Sequence, residues 1–401
     1  MIDPHSEDMN AIRDGIQGLM LGFGSEYWRK LDSEKGFPDE FVTALSQDGW
    51  LSALVPEEYG GSGLGLAEAS VIMEEINHCG GNAGTVHGQM YNLFTLVKHA
   101  SEAQKKLYLP KLATGELRLQ SMAVTEPTSG TDTSAITTNA VKKGDHYVVN
   151  GQKVWISRIQ HSDLMILLAR TTPLSQVKSK VDGMSIFLVD LHTAIGNGLT
   201  VQKIDNMVNH ETNELFFDNL VIPEENLIGE EGKGFRYILS GLNAERTLIA
   251  AECIGDGRWF VEKASQYANE RQVFGRPIGQ NQGIQFPIAE AHIEVQAADL
   301  MRWQACADYE KYYDKQDDKY SHKQGSTQAG ASANMAKYLA AKASWQAANV
   351  CLQTFGGFGF AHEYDVERKF RETRLYQVAP ISTNLILSYI GEKVLHMPRS
   401  F

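Results

Sequence analysis

A loop of small polar residues follows a short, mostly apolar segment in the first third of the chain. Residues 119–124 are mostly apolar, and Thr125-Glu126-Pro127 then opens a loop that runs to Asp132. A loop of this kind at a strand end points main-chain N–H groups and hydroxyls at an anionic or heteroaromatic ligand. Residues 122–132 are therefore a candidate ligand-binding loop.

A second candidate segment lies about 25 positions later, at residues 148–157. It consists of two β-rich runs joined by Asn150-Gly151. An Asn-Gly pair between such runs is the strongest short-range signal of a hairpin. The sequence therefore predicts two strands that are joined by a tight turn at this pair.

Composition narrows the class of protein. The chain has 401 residues, 43% hydrophobic and 21% charged, with a net charge of −12. These values are typical of a globular protein of two or three domains, and the acidic balance argues against a dedicated nucleic-acid binder. The four cysteines are scattered, and we expect reduced thiols in a cytoplasmic protein, with no signal peptide, no membrane span and no metal site.

The hydrophobic pattern changes twice along the chain. Residues 1–118 have helical apolar faces, residues 119–230 contain short β-rich runs between turns, and residues 231–401 return to long helical segments. The pattern predicts an α+β multidomain protein. Its parts are an N-terminal all-α domain, a middle antiparallel β-sheet or barrel domain, and a C-terminal four-helix bundle.

These blocks and motifs together resemble the acyl-CoA dehydrogenase family over nearly the whole chain. The loop at residues 122–132 resembles the family's flavin loop, and Trp155-Ile156-Ser157 resembles the segment behind the isoalloxazine ring. Residues 269–278 and the Gln353-x-x-Gly-Gly motif resemble segments that reach the adenine and pyrophosphate of a neighbouring subunit's cofactor. The resemblance implies FAD as cofactor and removal of a proton from the carbon α to a thioester.

The chain departs from the commonest family pattern at the catalytic base. Many relatives carry a glutamate in a Glu-Gly-Thr segment, 27 residues after the glutamine of the Gln-x-x-Gly-Gly motif. Here that position is Pro380, and no carboxylate lies between Glu372 and Glu392. A minority of relatives carry the base on a C-terminal-domain helix, immediately before an arginine. Glu245, directly before Arg246, matches that alternative position, and the resemblance implies that it is the base.

The residues around Glu245 support this interpretation. Leu242 and residues 248–251 are apolar, which places the Glu245-Arg246 pair on a partly buried helix. Apolar surroundings raise the pKa of a carboxyl group and so suit a base that works near neutrality. The alternative is a surface ion pair or a helix-stabilising network, the usual role of charged residues on helices.

The resemblance also assigns binding positions, residue by residue. The cofactor positions are Met122, Val124, Thr125, Thr131, Trp155, Ile156, Ser157, Arg271, Phe274, Gln282, Gln353, Gly356, Gly357, Ser382 and Asn384. The substrate positions are Thr131, Asn243, Arg246 and Ile381. Two alternatives stay open from the residues alone: Trp155 could belong to the core, and Arg271 could be a surface ion pair. Met122 is a departure, since relatives often have an aromatic residue there.

The function implied is oxidation of an acyl-CoA to the trans-2-enoyl-CoA, with electrons passed to electron-transfer flavoprotein. Because cofactor contacts come partly from a neighbouring subunit in this family, a homotetramer or at least a dimer is expected. The displaced base keeps two alternatives open. One is a flavin oxidase or monooxygenase on the same fold, such as a nitroalkane-type oxidase, and the other is a flavin-binding relative without activity.

Overall fold

The computed structural model describes residues 2–314 and 323–399. Contacts within the chain divide it into two compact units. One unit comprises Met1–Gly36, Gly65–Gly84 and Asn243–Phe401, and the other comprises Phe37–Leu64 and Thr85–Leu242. Each unit is described by itself below.

Helices dominate both ends of the chain. In the described residues the α-helices are α1 (Glu7–Met20), α2 (Ser25–Glu34), α3 (Asp39–Gln47), α4 (Leu66–His78), α5 (His87–His99), α6 (Glu102–Ala113), α7 (Leu191–Ala194), α8 (Gly234–Glu270), α9 (Gln282–Tyr309), α10 (Lys323–Phe355), α11 (Val366–Leu375) and α12 (Thr383–Tyr389). The predicted order of helical, β and helical parts is confirmed. None of the described helices is long and apolar enough to cross a membrane.

The middle of the chain forms one sheet in the described residues. Its strands are β1 (Ser121–Ala123), β2 (Asn139–Lys143), β3 (His146–Ser157), β4 (Leu164–Arg170), β5 (Met184–Asp190), β6 (Leu199–Lys203), β7 (Thr212–Pro223) and β8 (Leu227–Ile228). They pair in the order β6-β7-β3-β2-β4-β5-β8, and β1 pairs with β4. The sheet is open, so the barrel that the sequence left as an option does not form. It is mainly antiparallel, but β1 and β2 each run parallel to β4.

Strand β4 lies at the centre of the core of its unit, and all seven of its residues are buried. Side chains alternate between the two faces of a strand. Leu164, Ile166 and Leu168 accordingly pack with apolar residues of α5 and α6, whereas Met165 and Leu167 pack with β3 and β7. A continuous apolar run is typical of a strand that is covered on both faces.

The hairpin predicted at Asn150-Gly151 is wrong. Strand β3 continues through these residues as a single 12-residue strand, and the pair instead marks a register shift against β7. Gly151 has φ +147°, and a Cβ atom there would lie 2.5 Å from the Thr138 hydroxyl oxygen. A glycine in a strand can mark a bulge and close backbone approach as well as a turn, and here the long pairing with β7 decides between them.

Small residues on α10 and α8 allow close packing of helices in the helical unit. On α10, alanines at helical spacing (Ala336, Ala340, Ala343 and Ala347) are buried in the core of the bundle. Helix α8 approaches α4 at Gly255, where an added Cβ would lie 2.1 Å from the carbonyl oxygen of Glu74. The small residues therefore set the distances between these helices.

We expect Gly255→Ala to destabilise the protein by about 1–3 kcal/mol, because the α8 and α4 backbones would have to move apart. Gly18→Ala on α1 is the matched control, since nothing lies within 4 Å of its added Cβ. Exchanging a helical glycine for alanine at an open position is neutral or stabilising, by up to about 1 kcal/mol. Thermal and urea unfolding of both variants measure the difference, and equal midpoints would contradict the packing argument.

Candidate active site

The loop that follows β1 is joined directly to the middle of β3. The Val154 N–H donates to the Thr125 carbonyl oxygen at 2.9 Å, and the Lys153 ammonium donates to the Val124 carbonyl oxygen at 2.7 Å. The two segments that the sequence singled out as flavin-binding therefore lie side by side. They are far enough apart in sequence that only the sheet brings them together.

A buried ion pair closes this loop. The Lys153 ammonium lies 3.0 Å from Oε1 of Glu126, and both side chains are almost inaccessible to solvent. The same carboxylate accepts hydrogen bonds from the N–H groups of Thr137 and Thr138, at 2.7 and 2.9 Å. Glu126 thus connects the start of the loop with the residues that lead into β2.

The environment of Glu126 favours its ionised form. Burial alone would raise the pKa of this carboxyl group, but the Lys153 charge and the hydrogen bonds from Thr137 and Thr138 lower it to about 2. Sequence reasoning did not assign a role to either member of the pair. The sequence shows a lysine inside a β-rich run and an acidic residue at a strand end. It does not show that these two residues contact each other, because their contact depends on the position of β3 in the sheet.

Trp155 lies on the surface of its unit and not in its core. The backbone of Trp155 is left-handed, with φ +63°, at a register shift between Lys153 and Ile156, and 59% of the residue is exposed. Such a conformation in a bulky residue costs about 1–3 kcal/mol and clusters at functional sites. The bulge turns the indole outward beside the loop, so the alternative of a core tryptophan does not hold.

The other predicted residues of this half occupy different positions. Ile156 is buried in the core of the sheet, and the Ser157 hydroxyl accepts a hydrogen bond from Asn209 at 2.9 Å. Met122 is half-buried against the apolar face of β4, and Val124 and Thr125 are also half-buried. Thr131 is exposed in the loop.

The proposed base lies in the helical unit, on α8. Glu245 and Asn243 are each 6% exposed, and Nη1 of the half-buried Arg246 donates to the Asn243 amide oxygen at 2.6 Å. A surface ion pair at this position is therefore excluded. The cluster places a carboxylate, a guanidinium and an amide on one turn of a buried helix.

The segment in which relatives carry the usual glutamate lies in the same unit. Ile381 is half-buried, and its carbonyl oxygen accepts a hydrogen bond from Lys337 of α10 at 2.7 Å. The Ser382 hydroxyl caps α12 by accepting from the Leu385 N–H at 3.3 Å. Asn384, on the first turn of α12, is exposed.

A separate groove in the helical unit is lined by two of the predicted adenine and pyrophosphate positions, Arg271 and Gly357. It has a volume of about 480 Å³ and includes Tyr267, Arg271, Phe355, Gly357 and Phe358 in its lining. The rings of Tyr267 and Phe355 stack at 4.0 Å, and the Arg271 guanidinium lies 5.6 Å from the centre of the Phe358 ring. Aromatic faces beside a guanidinium are suited to a heteroaromatic ring that carries phosphate.

A short β-hairpin borders this groove. Strands β9 (Gln272–Val273) and β10 (Arg276–Pro277) are joined by Phe274 and Gly275, both with positive φ, as a type I′ turn requires. The Phe274 side chain is fully exposed at its tip. Gln353, Gly356 and Gln282 are also exposed, and Arg271 is exposed on the surface rather than in an ion pair with a described residue.

Family models match almost the entire chain. The N-terminal domain of acyl-CoA dehydrogenases matches residues 6–116, the middle domain matches residues 121–220, and the C-terminal domain matches residues 232–395. The chain belongs to the acyl-CoA dehydrogenase family. It is accordingly a flavin-dependent oxidoreductase of the acyl-CoA dehydrogenase type.

Similar proteins include several with defined acyl-CoA substrates. Cyclohex-1-ene-1-carbonyl-CoA dehydrogenase of Syntrophus aciditrophicus is 35% identical and covers 98% of this chain and 91% of its own. Glutaryl-CoA dehydrogenase of Desulfococcus multivorans is 34% identical, with 93% and 92% covered. A solved glutaryl-coenzyme A dehydrogenase complex with glutaryl-CoA has a TM-score of 0.89 at 29% identity, with 100% and 98% covered.

FAD is the cofactor of this acyl-CoA dehydrogenase, and the residues present fit it. The exposed Trp155 indole lies beside a loop that carries the Thr125 and Thr131 hydroxyls and ends a strand. The groove at Arg271 supplies aromatic faces and a guanidinium. Among the described residues, no cluster of histidine, cysteine and acidic side chains could hold a metal ion.

We expect Glu126→Gln to destabilise the protein by about 3–5 kcal/mol, because it leaves the buried Lys153 ammonium without its counter-charge. The double variant Glu126→Gln/Lys153→Met is the control and should recover most of the loss. Urea unfolding, together with FAD retention during gel filtration, measures the loss in the single variant and the recovery in the double variant. A double variant no more stable than the single one would contradict the pairing.

The same pair predicts the pH dependence. The pKa of Glu126 falls from an ordinary 4.5 to about 2 on folding, so its stabilisation is fully present above pH 4.5 and is lost as the pH falls towards 2. The wild type should therefore lose more stability than Glu126→Gln over this interval. If the free energy of unfolding fell by the same amount in the two proteins between pH 4.5 and 2, this contribution of Glu126 would be refuted.

Proposed function

We propose that this enzyme oxidises an acyl-CoA thioester to the trans-2-enoyl-CoA, with Glu245 as the base that removes the α proton. The observation that carries the proposal is the buried carboxylate of Glu245 on α8 combined with Pro380 at the usual catalytic position. FAD, when bound, supplies the acceptor for the β hydride. The proposed cofactor positions are the loop at residues 122–131 and Trp155-Ile156-Ser157 in one unit, and Ser382 and Asn384 in the other.

The surroundings of Glu245 suit proton abstraction. Ala244, Leu248 and Ile249 beside it are buried, so water has little access to the carboxylate in this unit. A carboxylate without a full hydration shell is a stronger base than one in bulk water. Its position on a packed helix also restricts its orientation, which favours one direction of proton transfer.

Arg246 and Asn243 are proposed to contact the acyl part of the substrate. Their mutual hydrogen bond at 2.6 Å fixes the guanidinium next to the base, one residue along the helix. Ile381 in the same unit and Thr131 in the other unit are two further proposed substrate positions. In this proposal the Arg246–Asn243 pair limits the shape of the acyl group close to the α carbon, where relatives accept chains as different as cyclohexenecarbonyl and glutaryl groups.

Assembly and electron transfer are further parts of the proposal. Phe274 projects fully exposed from a turn beside the Arg271 groove, and an exposed aromatic ring of this kind is suited to burial by another subunit. We propose a cytoplasmic homotetramer in which Arg271, Phe274, Gln282, Gln353, Gly356 and Gly357 contact a neighbouring subunit's FAD. Electron-transfer flavoprotein is the proposed electron acceptor.

The proposed domain limits lie at residues 118 and 230, where the sequence changes from a helical to a β-rich pattern and back.

We expect Glu245→Gln to keep FAD bound and to slow anaerobic bleaching of the flavin by an acyl-CoA about 10²–10⁴-fold, the usual contribution of a positioned base. Glu262→Gln is the matched control, because Glu262 lies on the same helix and is mostly exposed. Stopped-flow absorbance at the flavin band, with a panel of straight and branched acyl-CoA thioesters, measures the rates. Bleaching of Glu245→Gln at the control's rate would refute the assignment.

Turnover assays of the wild type with the same acyl-CoA panel, in air and with an added electron acceptor, separate the alternatives on this fold. Aerobic turnover with peroxide release and no enoyl-CoA would identify an oxidase. Stable FAD binding without bleaching by any acyl thioester would identify a non-catalytic relative. Enoyl-CoA formation that depends on an electron acceptor other than oxygen supports the proposed dehydrogenase.

A further inference from the structure

Helix α9 carries a row of exposed apolar side chains. Phe286, Ile293 and Leu300 are 57%, 66% and 74% exposed, and they follow one another at intervals of seven residues. Seven residues make almost two full helical turns, so the three side chains project from one face of the helix. Ala289 and Ala297 lie between them on the same face and are also exposed. These five residues are called the α9 strip below.

The composition of this face is not that of a helix surface that stays in water. Among the exposed residues from 286 to 300, Glu290 is the one acidic residue, and none is a lysine or arginine. A helix face in contact with solvent is usually rich in charged residues. Large apolar side chains in a continuous row are instead typical of a surface that another protein covers. The α9 strip is therefore suited to burial in an assembly.

The order of residues in the α9 strip indicates which protein would cover it. Phe286 and Leu300 lie seven positions before and after Ile293, and Ala289 and Ala297 lie four positions before and after it. The strip is therefore nearly symmetric about Ile293. A twofold axis joins the same patch of two copies in opposite directions, so that patch must be complementary to its own reverse. The α9 strip meets this requirement.

We propose that the α9 strip binds the α9 strip of a second copy of this chain, with the two helices antiparallel and the twofold axis at Ile293. Ile293 then contacts the partner's Ile293, and Phe286 lies beside the partner's Leu300. The small alanines allow the two helix axes to approach to about 8–9 Å. Glu290, at the edge of the strip, lies level with uncharged residues of the partner, so no like charges are opposed.

This contact is separate from the one proposed at the Arg271 groove. That contact was proposed to complete a neighbouring subunit's FAD site, and it involves the hairpin that carries Phe274. A tetramer of identical subunits with dihedral symmetry needs more than one kind of twofold contact. The α9 strip supplies a second kind. It rests on the proposed homotetramer only for the number of copies, and it does not depend on the proposed reaction.

Analytical ultracentrifugation of the FAD-loaded protein over a range of concentrations tests the contact. Ile293→Asp places two carboxylates against each other at the twofold axis, so the mass of the assembly should fall by half. His292→Asp is the matched control, because His292 is exposed on the same helix but lies about 100° away from Ile293 around the helix axis. It should keep the wild-type mass. An Ile293→Asp assembly of wild-type mass, or a monomeric wild type, would overturn the proposal.

Disulfide cross-linking tests the antiparallel arrangement. In a Cys79→Ser background, which removes the exposed native thiol, Ile293→Cys should form a covalent dimer on mild oxidation, because a residue on the axis meets its own copy within disulfide reach. Phe286→Cys and Leu300→Cys should each remain uncross-linked alone and should cross-link when both are present in one chain. Failure of Ile293→Cys to cross-link, or efficient cross-linking of Phe286→Cys alone, would contradict this arrangement.

Other occupants of the α9 strip would give different results. If Ile293→Asp keeps the wild-type mass but no longer reduces electron-transfer flavoprotein, the strip binds that protein, and the pairing of two copies is overturned. If the masses and cross-links are as expected but no acyl-CoA bleaches the flavin, the proposed reaction fails and the α9 contact stands. Because the substituted side chains are exposed, unfolding midpoints of all variants should remain close to that of the wild-type subunit.

Discussion

The helical unit depends on a row of buried carboxylates on α8, each of which needs a positive charge or a hydrogen-bond donor as its partner. Glu245, Glu252 and Asp256 are spaced by seven and four residues, which places them on one face of the helix. All three are buried. A buried carboxylate that lacks a partner destabilises a protein by several kcal/mol, so the residues opposite this face are constrained by charge and hydrogen bonding more than by shape.

These partners align the segment that leads to the site. Lys369 lies 2.5 Å from the Asp256 carboxylate, and the Tyr376 hydroxyl donates to Glu252 at 3.0 Å. Both partners lie on or just after α11, so their pairing fixes where the chain continues towards Pro380 and Ile381. The Lys337 contact with Ile381 then fixes the far end of that segment. In the other unit, the Glu126–Lys153 pair fixes the loop beside Trp155 by the same kind of contact.

Much of the fold could be predicted from local pattern, because its elements are long and strongly periodic. The apolar runs at β4 and β5 and the long segments at α8, α9 and α10 are of this kind. The error at Asn150-Gly151 came from a signal that is valid only locally. Nine residues of β3 pair with β7, and this pairing outweighs the preference of two residues for a turn.

The site was predicted less completely, for a physical reason. Motif resemblance indicated Glu245, Trp155 and Arg271, because their identities lie within recognisable short segments. It gave no role to Glu126, Lys153 or Lys337, whose importance comes from partners 27 to 44 positions away. A buried lysine is inconspicuous in a sequence until its partner is known. The displacement of the base that we propose was indicated in the sequence only by the absence of a carboxylate near Pro380.

The central claim is that the Glu245 carboxylate removes the α proton, and isotope exchange tests it without hydride transfer. An acyl-CoA analogue with no hydrogen on its β atom would be incubated with the FAD-loaded enzyme in D₂O, and α-deuterium incorporation followed by mass spectrometry. The wild type should exchange the α protons, and Glu245→Gln should not exchange them above the rate in buffer. Exchange by the Glu245→Gln enzyme at the wild-type rate would contradict the account.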